Sequence, residues 1–102
     1  MNKSNYKFKT GLVVGKFYPP HRGHKHLIET ALSQCEKVTV LVCWKASETI
    51  SGIRRAKWLK EIHPNVEVKL LDDYKLADDD SKGWANYTVK ILGFIPEAVF
   101  TS

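Results

Sequence analysis

The sequence predicts an α/β fold, a three-layer sandwich in which a parallel β-sheet is covered by helices on both faces. Three observations lead there. Short apolar runs rich in β-branched residues recur along the 102-residue chain, stretches with apolar residues at helical spacing separate them, and Gly, Pro or polar clusters mark the joins. Parallel neighbours need long crossover connections, and a helix is the usual one, so strands that alternate with helices read as a parallel sheet.

Residues 11–15 place Leu12, Val13 and Val14 between two glycines, which reads as a buried strand. Pro19 and Pro20 then force a break. From Gly23 or His24 to about Gln34, the residues Leu27, Ile28, Ala31 and Leu32 recur at helical spacing, so a helix follows the loop. Residues 37–43 form the richest β-branched run, with Val38, Val40, Leu41 and Val42, and predict a second buried strand parallel to the first. Over residues 51–62, Ile53, Ala56, Leu59 and Ile62 fall at three-residue steps, with Ser51 as N-cap and Pro64 as the stop, which makes a second helix with that apolar stripe. A third strand is expected over 66–71, a polar loop over 72–82 and a third helix over 84–92. After Pro96, the residues Ala98, Val99 and Phe100 begin a fourth strand. Ligands of such sheets sit beyond the carboxyl ends of the strands, so the loops after Gly15, Cys43, Leu71 and Phe100 are the ones that matter.

Composition bounds the reading. A hydrophobic fraction of 43% and a charged fraction of 26% are those of an ordinary globular domain, and the length fits one. The net charge of +5 and pI near 9.3 suit an anionic partner: nucleic acid, a membrane surface or a phosphorylated small molecule. Nucleic acid is disfavoured because no basic surface is interleaved with aromatics. The first nine residues hold no apolar run long enough for a signal peptide or membrane span, so a cytoplasmic protein without a membrane partner is expected. An oligomer stays open. Cys35 and Cys43 lack any zinc-type spacing and read as buried, reduced core residues. Asp72, Asp73, Asp78, Asp79 and Asp80 lack the order of a calcium loop and read as a solvated stretch.

The chemistry concentrates in Gly15-Lys16-Phe17-Tyr18-Pro19-Pro20-His21-Arg22-Gly23-His24. A loop from a buried strand into a helix start offers backbone N–H groups and a positive dipole end to an anion. Gly15 and Gly23 let the backbone approach a ligand closely, and the two prolines restrict the loop beforehand. His21 and His24 lie three apart across a helix N-terminus, so both rings can face one polyphosphate; Lys16 and Arg22 add cationic donors. Alignment and charge stabilisation are what phosphoryl-type transfer needs. A zinc site from His21, His24 and His26 lacks the i, i+4 pair and a carboxylate neighbour. His26 and His63 read as surface or boundary residues. On residue type alone Arg54 and Arg55 are a solvated helix face, Trp58 is core, and Trp84 is balanced between core and ligand platform.

These residues resemble a family. Gly-x-Phe-x-Pro-x-His-x-Gly-His is the signature of the HxGH nucleotidyltransferases, and every position of it is matched. Together with Arg-x-x-Trp-Leu at residues 55–59 and Gly83-Trp84, it looks like the nicotinamide mononucleotide adenylyltransferase domain of NadR-type bacterial NAD-biosynthesis proteins. The resemblance implies a Rossmann-like parallel sheet and transfer of AMP from ATP to a phosphorylated acceptor, with Mg²⁺ assisting and pyrophosphate leaving. It implies that His21 and His24 bind the ATP phosphates and that Lys16 and the Phe17 amide lie near the α-phosphate. Gly15, Tyr18, Gly23 and Ser102 would also line the nucleotide site, and Arg55 and Trp84 would hold the acceptor, with Trp84 stacked on nicotinamide. Alternatives are another cytidylyl- or adenylyltransferase, acting for instance on phosphopantetheine or glycerol phosphate, and a nonenzymatic nucleotide-binding fragment. A second family signature, Ile-Ser-x-x-x-x-Arg, is absent from the 102 residues. The chain is therefore expected to carry the first part of a single nucleotidyltransferase domain, whose remainder lies beyond Ser102; activity of the 102 residues by themselves stays open.

Overall fold

The computed structural model describes residues 6–17, 22–45, 47–72 and 88–101. Along the chain they form β1 (Phe8–Gly15), α1 (Arg22–Gln34), β2 (Cys35–Trp44), α2 (Gly52–Ile62), β3 (Glu67–Asp72) and β4 (Ala98–Thr101). The strands make one sheet in the order β3-β2-β1-β4. Every neighbouring pair is parallel, and Val13 stands opposite both Val40 and Phe100. This is the predicted Rossmann-like α/β arrangement.

The order dictates where the helices go. The β1–α1–β2 and β2–α2–β3 crossovers step the same way along the sheet, whereas the path from β3 to β4 returns past both central strands. Right-handed crossovers therefore require α1 and α2 on one face, and the helical stretch at 88–92 packs on the other. Alternating side chains fill the two faces accordingly. Val13, Val38, Val40 and Val42 pack with Ile28 and Ala31 of α1 and Leu59 of α2. Leu12, Leu41, Cys43 and Leu71 pack with Leu92, which closes the helical stretch at 88–92. Gly93 ends that stretch in the left-handed region at φ 81°, with its N–H donated to the Val89 carbonyl at 2.8 Å, as glycine does at helix ends. The reversal of strand order falls between β1 and β4, and the crevice beyond their carboxyl ends is where such sheets bind ligands.

Several boundaries differ from expectation. β1 starts at Phe8, three residues before the apolar run, because Phe8 and Thr10 pair with Cys35 and Lys37 of β2. β2 begins directly after Gln34 with no loop. Pairing, not hydrophobicity, sets these ends. The third helix is seen only over 88–92; Trp84 and the loop aspartates 73 and 78–80 lie outside the described residues.

The predicted stripe of α2 is corrected. Of that stripe only Leu59 is buried; Ile53 and Ile62 are 71% and 55% exposed, and Gly52 and Arg55 share the buried face with Leu59. An arginine lies inside because the protein supplies acceptors for its guanidinium, described below. Ser51 caps α2 as expected, its hydroxyl accepting from the Arg54 amide at 3.2 Å. His63, expected at the surface or boundary, is buried; it caps the other end of α2, donating its N–H to the Leu59 carbonyl at 2.8 Å. Burial holds its imidazole below the usual value, against a rise from Glu29.

Both cysteines are buried and free. Burial, aided by Glu97, raises the Cys35 thiol above its ordinary value, which keeps it protonated and inert. Among the described residues no helix is long and apolar enough to cross a membrane.

Candidate active site

At the carboxyl end of β1 the chain makes a hook. Phe17 has φ 51°, a left-handed conformation that costs a bulky residue about 1–3 kcal/mol and persists only where the surroundings impose it. Here packing imposes it: the Phe17 side chain is fully buried, in the cluster with Val13 and Ile28. Its ring turns back beneath the strand end, so close that a Cβ at position 15 would stand 3.1 Å from it. Glycine at 15 is what leaves room. The ring also meets His24 of α1, with centroids 4.5 Å apart and planes tilted by 53°. That contact fixes the imidazole against the hook, and His24 is 8% exposed.

Around this hook the cations face outward. The Lys16 side chain is 54% exposed, Arg22 and Gly23 are exposed on the first turn of α1, and that turn carries no acidic residue. No carboxylate of its own therefore offsets the positive end of the helix dipole. The arrangement suits phosphate.

The loop after β2 supports the hook from behind. Lys45 and Glu48 close a turn, the Glu48 amide donating to the Lys45 carbonyl at 3.0 Å and the Lys45 amide donating to Glu48 Oε1 at 2.9 Å. Arg55 reaches into this turn from α2 with no exposed surface. Its Nη2 donates to Glu48 Oε1 at 2.7 Å, its Nε to the Ile50 carbonyl at 3.0 Å, and its Nη1 to the Lys16 carbonyl at 3.1 Å. Glu48 Oε2 in turn lies 3.5 Å from Lys16 Nζ. Burial alone would raise the Glu48 carboxyl, but the hydrogen bonds from Arg55 and the Lys45 amide, with the charges of Arg55 and Lys16, hold it below its ordinary value. Beside this unit the Trp44 indole lies against Gly52, where a Cβ would come within 2.5 Å of the ring.

Of the site residues expected from sequence, the structure thus brings Gly15, Lys16, Phe17, His24 and Arg55 into one contact network, with Gly23 on the adjoining turn. Arg55 sits differently from its expected place on an acceptor: its guanidinium is enclosed by protein acceptors. Tyr18, His21, Trp84 and Ser102 lie outside the described residues. Sequence reasoning missed Glu48, since a lone glutamate in a polar loop has no periodicity to betray burial. Arg55 did carry a signal, because Gly52, Arg55 and Leu59 share one helix face.

Comparison with known proteins gives the family and the fold. The cytidylyltransferase-like family model matches residues 12–92, and the chain belongs to that family of nucleotidyltransferases. A stretch of 31 residues is 58% identical to the nicotinamide-nucleotide adenylyltransferase of Aeropyrum pernix, covering 30% of this chain and 18% of that protein. The fold resembles a NadR protein solved in complex with NAD and AMP-PNP, with a TM-score of 0.70 and 21% identity over 87% of this chain and 28% of the other. It also resembles a bifunctional NMN adenylyltransferase/ADP ribose pyrophosphatase from Francisella tularensis, complexed with AMP and a Mn ion, with a TM-score of 0.68 and 18% identity over 90% of this chain and 31% of the other. The chain spans less than a third of the length of each.

Proposed function

We propose that the protein is an adenylyltransferase that moves AMP from ATP onto nicotinamide mononucleotide and releases pyrophosphate, a step of NAD synthesis. The observation that carries this reading is the hook at Lys16 and Phe17, which stands at the switch point of the sheet inside the matched Gly15 to His24 segment. The stretch of high identity to a nicotinamide-nucleotide adenylyltransferase supports the choice of acceptor.

In this reaction an oxygen of the acceptor phosphate attacks the α-phosphorus of ATP, and the bond from that phosphorus to the bridging oxygen of the β-phosphate breaks. Negative charge grows on the phosphate oxygens as it does so. The Lys16 ammonium, the Phe17 amide and the rings of His21 and His24 donate hydrogen bonds to those oxygens, which lowers the barrier without a covalent intermediate. Phe17 keeps the His24 ring in place. Gly15 and Gly23 admit the nucleotide backbone-close, Tyr18 and Ser102 flank it, and Trp84 stacks on nicotinamide; Tyr18, His21, Trp84 and Ser102 enter through sequence alone. The described donors are N–H groups and cations, and no trio of His, Cys, Asp or Glu among the described residues could hold a metal ion. Mg²⁺ would arrive with the triphosphate, whose charge it would neutralise. The cytoplasm, where such nucleotides are made, is the proposed location.

The test is pyrophosphate release by the full-length protein supplied with ATP, Mg²⁺ and a panel of nicotinamide mononucleotide, phosphopantetheine and glycerol phosphate. Turnover with the first alone is expected, and His24→Ala should slow it about 10²-fold or more, the usual weight of an oxyanion-stabilising donor. Unchanged turnover in that variant would refute the role of His24. A second reading is nucleotide binding without turnover by the 102 residues themselves, among which no Ile-Ser-x-x-x-x-Arg signature occurs. Calorimetry with ATP and Mg²⁺ on the 102-residue chain, set beside its pyrophosphate release, separates the two.

A further inference from the structure

Arg55 and Glu48 touch the same lysine at both of its ends. Arg55 Nη1 donates to the Lys16 carbonyl at 3.1 Å, and Glu48 Oε2 lies 3.5 Å from the Lys16 ammonium, while the two residues bond to each other at 2.7 Å. The Lys16 carbonyl belongs to the peptide unit that also contains the Phe17 N–H. A trans peptide is planar, and its C=O and N–H point in opposite directions. A guanidinium that draws the carbonyl toward the protein interior therefore turns the Phe17 N–H away from it.

We infer that Arg55 and Glu48 are positioning residues: as a buried clamp they set the direction of the Phe17 amide and hold the Lys16 ammonium beside it, so that both donors meet one phosphate group. The inference rests on the adenylyltransferase reading for the identity of that phosphate, but the clamp itself is a property of the ligand-free chain. Arginine is needed because a planar fork engages the Glu48 carboxylate, the Ile50 carbonyl and the Lys16 carbonyl at once. A lysine reaches one of them. The buried guanidinium also explains how a left-handed phenylalanine is tolerated, since the carbonyl before it is held as firmly as the ring after it.

The experiment uses the full-length protein with Arg55→Lys and Glu48→Gln, each checked for a folded spectrum. The ¹⁵N–¹H resonance of Phe17 is recorded without ligand, and the affinities for pyrophosphate and for adenosine are then measured. Arg55→Lys is expected to displace the Phe17 resonance and to weaken pyrophosphate binding about tenfold or more, the loss of a charge-assisted hydrogen bond, with adenosine binding unchanged. Glu48→Gln keeps an acceptor for Arg55, so it should shift Phe17 little yet weaken pyrophosphate binding by loosening Lys16. An unmoved Phe17 resonance in Arg55→Lys, or equal losses for adenosine and pyrophosphate, overturns the clamp. If Arg55→Lys does not fold, Glu48→Gln with undiminished pyrophosphate binding overturns it instead. A parent protein that binds neither ATP nor pyrophosphate sinks the adenylyltransferase reading, and the Phe17 resonance still decides the clamp.

Discussion

The loops after β1 and after β2 are built on one plan, each running from the carboxyl end of a central strand to the start of a helix, yet they use their polar groups in opposite ways. The loop after β2 turns inward. Lys45, Glu48, Ile50 and Arg55 bond to one another, and Ser51 caps α2. At the two described ends of the loop after β1, Lys16 and Arg22 are exposed, and the first turn of α1 carries no acid. Two strand-to-helix units thus differ: one bonds its polar groups to one another, the other leaves the side chains of Lys16 and Arg22 exposed. Mutations in the first should show in stability and, through Lys16 and Phe17, in phosphate binding, whereas mutations in the second should show in turnover with little loss of stability.

The largest effect is expected from Arg55→Met. It removes a fully buried partner of Glu48 and leaves the acceptors on Ile50 and Lys16 unpaired, so urea unfolding should register a loss of about 3 kcal/mol, the lower end for a broken buried pair. A loss under about 0.5 kcal/mol, the range of a plain surface change, would erase the contrast between the loops. Next comes Ser51→Ala, which takes away the acceptor of the Arg54 amide and should cost about 1 kcal/mol in the same measurement.

Acid sharpens the comparison in a different way. The folded Glu48 carboxyl is held below its ordinary value of 4.5, so its contribution is complete above that pH and is lost as pH falls through the lower folded value. His63 is likewise lowered, from 6.5, so the unfolded chain takes up a proton first and stability falls as pH drops below about that value. Thermal melts across pH should show two separate declines. Glu48→Gln should remove the one below pH 4.5, and His63→Gln the one that begins near 6.5. The smallest change in stability belongs to Lys16→Ala, within about 0.5 kcal/mol for a side chain on the surface, while pyrophosphate release falls sharply. Parallel losses of stability and turnover in that variant would show that the outer loop is also structural.

Much of this was legible beforehand. Leu12 to Val14 and Val38 to Val42 announced buried strands by their apolar runs, Ala98 to Phe100 announced a fourth strand, Leu27, Ile28, Ala31 and Leu32 announced α1, and Ser51 announced the start of α2, because each depends on neighbours within a few residues. Family membership was legible too, through a segment of ten consecutive residues. The buried side of α2 was not. Ile53, Ala56, Leu59 and Ile62 are the more hydrophobic stripe, yet of these only Leu59 is buried, and Arg55 turns inward because Ile50, Glu48 and Lys16 satisfy its guanidinium there.

Sequence alone thus determined the kinds of element, their order and the segment proposed to carry the chemistry, since local patterns of apolarity, capping and glycine act over one or two turns. Only the tertiary structure decided which residue supports that segment, the left-handed turn at Phe17 and the extra pairing that lengthens β1. Those outcomes depend on groups distant in sequence meeting in space, where a buried charge or a strained backbone angle becomes stable only once all its partners have arrived.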